Sequence, residues 1–462
     1  MKITIKNDVT TIQNLDQKFL SVISKRLSYT DKSKQYQLKR ISKTIWGKTS
    51  AKAKQLKKEI YQTLLTENSD GSISFPTSLI YLFPEINAAN DLTDLRCSTG
   101  SKVSLPWVNK PNILRPYQEE SKSIMENNDR GVIRLATGLG KTEVAVHAIR
   151  SIGKNTLIVC PNKSIAHQFY NVLVYHFGQN KVGLFGDGKK QIKELTVGIS
   201  QSVSNHVSLL KNTNFGFIII DEAHHTPSET LYTVMTELSS ASKIFGLTAT
   251  DFRSDGKDLL ISASCGQTLI NLDAKWGIDN GWLAEPMFIV RKVKTMGDSH
   301  QDDKLFNYRN HILNNDLMKS TIQQDAASFL SKGKKVLILV DEIKHGAELS
   351  ANLNLPFATG EDRESQKYIE DFNAGRIQGL IATDGKVGEG VDTKPTEVLI
   401  LANFVASKGP VLQCVGRGLR KTATKDKVII LDYIPEGSRQ LNRHAYDRIS
   451  YFKELTNNIH IL

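Results

Sequence analysis

Residues 131–150 read GVIRLATGLGKTEVAVHAIR. An apolar run, a turn with two glycines and a segment with apolar residues at helical spacing predict a strand, a loop and a helix. Such a loop aims backbone N–H groups and the positive end of the helix at one point, where a phosphate can be held. Lys141 is then placed to neutralise the β and γ phosphates of a nucleotide, and the Thr142 hydroxyl to bind Mg²⁺. The strict loop pattern has glycine at its first position, and Leu135 stands there.

Short apolar runs alternate with helical segments on either side: LIVC at 157–160, FIII at 217–220, IFGL at 244–247, VLILV at 336–340, GLIA at 379–382, VLILA at 398–402 and VIIL at 428–431. Buried strands separated by helices predict parallel α/β sheets, in two blocks that meet near a polar connector at 281–310. FIII delivers Asp221 and Glu222 at the carboxyl end of a strand, where such sheets bind ligands. Asp221 suits Mg²⁺, and Glu222 suits orienting or deprotonating an attacking water. In the second block, Gln413 to Arg420 reads QCVGRGLR. Arg417 and Arg420, three apart, are expected on one helical face as a clamp for anionic charge at a γ phosphate.

Together these residues resemble the superfamily 2 helicases and translocases, over about Pro111 to Ile434. Arg115-Pro116-Tyr117-Gln118 is similar to the adenine-reading element of that family. LATGLGKT, with Thr137, Gly138, Leu139 and Gly140 in the loop, is similar to motif I. VCPNKSIAHQF (159–169) is similar to motif Ia, which touches the nucleic-acid backbone and so implicates Pro161, Asn162, Lys163 and Gln168 in DNA binding. ISQS (199–202) has the place of motif Ib or Ic, adding Ser200 and Gln201. DEAH has the place of motif II and Thr248-Ala249-Thr250 of motif III, which with His224 implies coupling of hydrolysis to movement. VLILVDEIKHGAELS (336–350) resembles motif IV. ATDGKVGEGVD (382–392) resembles motif V, with Thr383 toward DNA and Gly390 and Asp392 toward nucleotide, and QCVGRGLR resembles motif VI.

The resemblance implies two tandem RecA-like domains with ATP in the cleft between them. The implied catalytic set is Lys141, Asp221, Glu222, Gln413, Arg417 and Arg420. The segments LATGLGKT, DEAHH, GLTATDFRSDG, EGVD and QCVGRGLR are closest to the DNA-directed branch, and the compact chain resembles its phage UvsW-type branch-migration helicases, those of T5-like phages included. Asp251 stands where the family usually has Pro, and Thr393 where Ile-Pro usually follows Asp392. Both departures bear on coupling geometry rather than on ATP hydrolysis.

The 462 residues include 60 Lys and Arg against 48 Asp and Glu, a net charge of +12. Residues 1–110 hold 18 basic and nine acidic side chains, so most of the excess lies outside the nucleotide-binding blocks. Between Lys18 and Lys58, 13 basic residues accompany a single acid, Asp31. That is either a phosphate-binding footprint, with Lys39, Arg40 and Lys43 as candidate DNA contacts, or a solvated lysine-rich helix face. Phe19, Tyr29, Tyr36, Trp46 and Tyr61 are expected to form a small core rather than a stacking surface. A strand near Ile3–Lys6 and a helix near Asp16–Leu27 are expected first. A helix over Ala51–Leu65 burying Leu56, Ile60, Tyr61 and Leu64, an extended ISFPTSLIYLFP (73–84) and a linker over Ser98–Pro111 follow. The reading is α/β, with a small basic α+β domain at 1–108 and RecA-like domains at 109–285 and 286–462.

Val398–Ala406, the longest mostly apolar stretch, is too short to cross a bilayer, and the first ten residues lack the apolar core of an export signal. Cys97, Cys160, Cys265 and Cys414 lie too far apart in sequence to indicate a disulfide framework or a zinc site. A cytoplasmic protein is expected, in the infected bacterial host if a phage encodes it. The implied activity is that of an ATP-dependent 3′ to 5′ DNA helicase or translocase. It would unwind or branch-migrate forks, Holliday junctions or R-loops in phage replication, recombination or repair. ATP and Mg²⁺ are the expected cofactors and branched or forked DNA the expected partner, with single-strand DNA-binding or recombination proteins as further candidates and a monomer favoured. Removal of residues 1–108 is expected to spare basal ATP hydrolysis and weaken junction binding. Three rivals use the same residues: a double-strand translocase or restriction-type motor without strand separation, an RNA helicase, and a nucleic-acid clamp that ATP switches.

Overall fold

The computed structural model describes residues 1–42, 50–88, 91–225, 229–249, 256–295, 304–362, 364–384, 393–422 and 424–462. The seven short apolar runs from LIVC at 157–160 to VIIL at 428–431 each lie in a strand, and each of those strands pairs in parallel. Two compact units result, one of Met1–Leu135 with Gly140–Asn271 and one containing Leu272–Leu462. Each carries a parallel sheet flanked by helices, the RecA-like architecture. Among the described residues no helix is long and apolar enough to cross a membrane.

An eight-stranded sheet of the described residues runs in the order Lys189–Lys190, Val182–Gly186, Leu195–Ile199, Thr156–Cys160, Phe217–Ile220, Lys243–Thr248, Arg130–Leu135, Thr268–Leu272. From Val182–Gly186 to Arg130–Leu135 every pairing is parallel, so six carboxyl ends open along one edge. Leu157, Val159, Ile218, Ile220 and Ile244 are buried, because helices cover both faces.

A five-stranded sheet precedes this one, in the order Thr66–Glu67, Ile73–Pro76, Val9–Gln13, Lys2–Ile5, Asp91–Asp94. Its core of Ile3, Ile12, Ile23, Phe75 and Phe83 also takes in Ala263, with Tyr232 and Leu259 packed against it. The side chain of Arg130 donates to the Asn7 and Ser239 carbonyls and, at 3.0 Å, to Ser78 Oγ. Lys257 Nζ lies 2.9 Å from Asp31 Oδ2. The basic part is thus fastened to the eight-stranded sheet through apolar contact, a buried guanidinium and an ion pair.

Several local expectations change. The helix over 51–65 stops at Glu59, because Tyr61–Thr63 pairs antiparallel with Ser28–Thr30. Ala53, Leu56 and Ile60 are buried as the spacing requires, but Tyr61 is 72% exposed and Tyr36 64%, so neither belongs to a core. Only Ile73–Pro76 of ISFPTSLIYLFP is a strand, and Thr77–Leu82 winds into a 3₁₀ turn. The 98–111 linker is pinned down: Leu105 is buried, and Trp107 stacks on Phe177 at 5.0 Å between ring centroids. Trp46 lies outside the described residues.

The second sheet runs Phe357–Ala358, Gly379–Thr383, Val336–Val340, Val398–Ala402, Lys427–Pro435, Glu285–Val293, Ile459–Ile461. Glu285–Val293 corrects the polar-connector reading of 281–310, since it is a nine-residue parallel strand burying Phe288, Val290 and Val293. Among the described residues after it, Lys304–Tyr308 is helical and Arg309–Leu313 forms a π turn.

Sequence patterning does not reveal one polar feature of this core. Arg448 holds Asp432 through two hydrogen bonds, of 2.7 and 2.9 Å, with both side chains at most 3% exposed. Removing one partner of such a pair strands the other charge, at about 3–5 kcal/mol. Asp432→Asn is therefore expected to unfold the second unit at distinctly lower urea, read by the shift of its transition midpoint.

Candidate active site

The phosphate loop leaves a fully buried strand end. Leu135, where the strict pattern has glycine, is wholly buried, so its side chain belongs to the core and leaves the loop unobstructed. Gly138 and Gly140 have φ of 91° and 84°, a left-handed backbone that glycine adopts without strain. A Cβ on Gly140 would collide with Gln118 Nε2. Gly140 caps helix Lys141–Ile152, which places Lys141 and Thr142 in its first turn. Gln118 is buried, and its Oε1 accepts the Arg115 backbone N–H at 2.9 Å. The Arg115 guanidinium donates to the Tyr117 hydroxyl at 3.1 Å. The adenine-reading candidates therefore form the cap of helix Pro116–Asn127, packed against the phosphate loop.

Two strands along the edge, Phe217–Ile220 delivers the acids. Glu222 has φ 48°, left-handed for a non-glycine residue, and its N–H donates to Asp221 Oδ1 at 3.0 Å. Such conformations cost on the order of 1 kcal/mol and cluster where a side chain must be aimed. Here Glu222 Oε1 faces Lys141 Nζ at 3.4 Å and Oε2 faces His224 Nδ1 at 3.4 Å. The same His224 nitrogen lies 3.2 Å from Thr248 Oγ1, at the end of the adjacent strand. Lys141, Glu222, His224 and Thr248 thus form a connected chain across three elements. Burial opposes the Glu222 charge, but Lys141 and then His224 outweigh it and hold the carboxyl at about 2.

The donor set fits nucleotide with Mg²⁺. It offers a cationic lysine, a hydroxyl and a carboxylate, hard oxygen ligands of the kind Mg²⁺ takes alongside phosphate and water. Among the described residues no group of three or more His, Cys, Asp or Glu could form an all-protein metal cage.

Farther along the same edge, the ends of Thr156–Cys160 and Leu195–Ile199 bring together Pro161, Asn162, Lys163, Ser200 and Gln201. Asn162 caps helix Lys163–Phe177 by accepting the Ile165 N–H at 3.0 Å, and Ser200 Oγ donates to the Pro161 carbonyl at 3.2 Å. Gln168 is exposed on that helix. Lys163 is held by Asp187, a residue sequence reading passes over, whose only local signal is the Gly186-Asp187-Gly188 turn. In the amino-terminal part, Lys39 and Arg40 are exposed on helix Lys32–Ser42. Lys43, Thr250, Asp251, Gly390 and Asp392 lie outside the described residues.

In the second unit, Thr383 ends its strand and is buried, and Gln413 and Arg417 lie on helix Lys408–Gly418. The expectation that Arg417 and Arg420 share one helical face is not met. The helix ends at Gly418, and Arg420 has passed into an antiparallel bridge with Leu283, anchored by the Ala284 N–H to the Leu419 carbonyl at 2.7 Å.

Residues 112–253 match the family model described as "Type III restriction enzyme, res subunit". The Rad25 protein of Haloarcula marismortui is 26% identical over 330 residues, 69% of this chain and 52% of that one. This chain thus spans about half the length of the archaeal relatives it matches. A protein of Escherichia phage T5 described as a "Probable helicase" is 26% identical over 371 residues, 79% of each chain. In structure, the Mycobacterium smegmatis helicase Lhr bound to ssDNA and AMP-PNP superposes with a TM-score of 0.56 at 15% identity, over 76% of this chain and 49% of that one. That likeness concerns the fold.

Proposed function

We propose that this chain belongs to helicase superfamily 2 and is an ATP-driven 3′ to 5′ motor on DNA that unwinds or branch-migrates forked substrates. The observation that carries the reading is the connected chain Lys141–Glu222–His224–Thr248 on the sheet edge that also presents Pro161 to Lys163 and Ser200. A change at the γ phosphate alters what Lys141 and Glu222 hold, and His224 passes that change to Thr248 and the neighbouring strands. Relatives described as helicases, one of them from a phage, support DNA and a phage setting.

In this proposal Lys141 binds the β and γ phosphates, Glu222 orients and deprotonates the attacking water, and Arg115 and Gln118 read the base. Thr142 and Asp221 would hold Mg²⁺, which supplies neutralisation of phosphate charge. On the family resemblance, Gly390, Asp392, Gln413, Arg417 and Arg420 are further proposed nucleotide contacts. Residues 109–285 and 286–462 are the motor, and 1–108 hold the second arm of a branched substrate.

Purified protein assayed for strand displacement and ATP hydrolysis on forked DNA, blunt duplex and RNA tests this. Stimulation by forked DNA well above blunt duplex is expected, and equal stimulation would reduce the protein to a duplex translocase. Lys39→Glu combined with Arg40→Glu is expected to weaken forked-DNA binding and to flatten its dependence on log salt by about two, close to one per lost phosphate contact. An unchanged slope would make that helix a solubilising face.

A further inference from the structure

At the far end of the sheet edge, Val182–Gly186 turns back through Asp187 and Gly188 into Lys189–Lys190, pairing Phe185 with Lys190 and Gly186 with Lys189. Asp187 and Gly188 have φ of 52° and 75°. Two such residues form the hairpin turn that matches strand twist and favours Asn or Asp followed by Gly. The hairpin sets Asp187 over the first turn of helix Lys163–Phe177. Its Oδ1 lies 2.7 Å from Lys163 Nζ and its Oδ2 2.9 Å from His167 Nε2. Lys163 and His167, four apart, share one helical face. Their side chains are 66% and 36% exposed, and that of Asp187 is 31% exposed.

Two donors bridged by the two oxygens of one carboxylate are also spaced for the two free oxygens of one phosphodiester. They stand on the edge that carries Pro161 and Ser200, beside the row that ends in the nucleotide site. We propose that Lys163 and His167 form a two-donor clamp for a backbone phosphate of the tracked strand, and that Asp187 is its built-in competitor, displaced when the strand binds. This rests on the nucleic-acid reading above and adds His167 and Asp187 to it. The competitor holds the two donors in position between strands and weakens the grip on each phosphate, which suits a motor that must release at every step.

Asp187→Asn isolates the charge, because Asn-Gly is a favoured pair for the same turn. The full chain is titrated against fluorescein-labelled single-stranded DNA and against RNA of the same sequence, by anisotropy over a salt series, with thermal melting alongside. Asp187→Asn is expected to bind DNA about two- to fivefold more tightly, the range one exposed ion pair commands. His167→Gln is expected to bind more weakly and to erase that gain in the double variant. Lys163→Ala is expected to lower the salt slope by about 0.7. Equal or weaker binding by Asp187→Asn overturns the proposal, and a lower melting temperature without tighter binding assigns Asp187 to helix stability alone. Wild-type binding to RNA but not DNA would sink the DNA reading, while the Asp187→Asn ratio on RNA would still decide the clamp. Binding to neither would overturn both.

Discussion

Glu222→Gln is expected to cut steady-state ATP hydrolysis by about 10²–10⁴-fold, the range a positioned general base supplies, while binding ATP at least as tightly as the parent chain. The second half follows from the 3.4 Å pairing of Lys141 with Glu222. In the proposed mechanism, phosphate and the Glu222 carboxylate compete for the Lys141 ammonium. Glutamine releases the ammonium and removes a negative charge from the phosphate site. Lys141→Ala is expected to lose binding and turnover together. Nucleotide titration by fluorescence separates the two variants, and weaker ATP binding by Glu222→Gln would show that the Lys141 pairing does not compete with nucleotide.

The pH dependence has a definite sign. Lys141 and His224 overcome burial to hold the Glu222 carboxyl at about 2. A depressed carboxyl contributes stability that is fully present above its ordinary value near 4.5 and is lost as pH falls toward about 2. Glu222 is therefore ionised throughout neutral and mildly acidic solution. A carboxylate so depressed is a poor base while Lys141 pairs with it. In the proposed mechanism, phosphate taking the lysine would remove the main force holding the value down, and nucleotide binding and activation of the base would be linked by one ammonium group.

What is legible in the sequence follows from what local pattern encodes. Ile218 to Ile220 and Val398 to Ala402 read as strands because parallel strands buried on both faces are continuously apolar. The phosphate loop is legible because its glycines answer a backbone demand, met at φ of 91° and 84°. Glu285–Val293 is obscured because its buried residues alternate with Arg291, whose charge finds Asp325 at 2.8 Å, more than 30 positions away. Tyr61 stands at helical spacing but is claimed by Thr30, a partner no local period contains. The left-handed Glu222, the exit of Arg420 from its helix and the Asp187 bridge all depend on neighbours brought in by the fold.

The same dependence reverses the expected outcome of removing residues 1–108. A clean truncation would require an eight-stranded sheet that is complete without them. Instead Trp107 stacks on Phe177 and takes the Arg150 guanidinium over its ring at 5.0 Å. The Lys154 ammonium is held by Ser98 at 2.6 Å and by the Thr99 carbonyl at 2.8 Å. Arg130 would lose Asn7 and Ser78, and Ala263 its apolar cover. Losing the partly buried Trp107 costs some fraction of the about 3–5 kcal/mol of a core Trp, and each hydrogen bond that the charged Arg130 and Lys154 lose adds about 1.5–3 kcal/mol, although Arg130 keeps Ser239 and Lys154 keeps Ser242, against a total stability of about 5–15 kcal/mol. Residues 109–462 are therefore expected to lose ATP hydrolysis through unfolding of the first unit, seen as loss of its thermal transition and not as weaker DNA binding. The Lys39→Glu, Arg40→Glu chain, altered only at exposed positions, is expected to keep that transition. A truncated protein that melts like the full chain would show that these contacts are dispensable and that the amino-terminal part is an independent module.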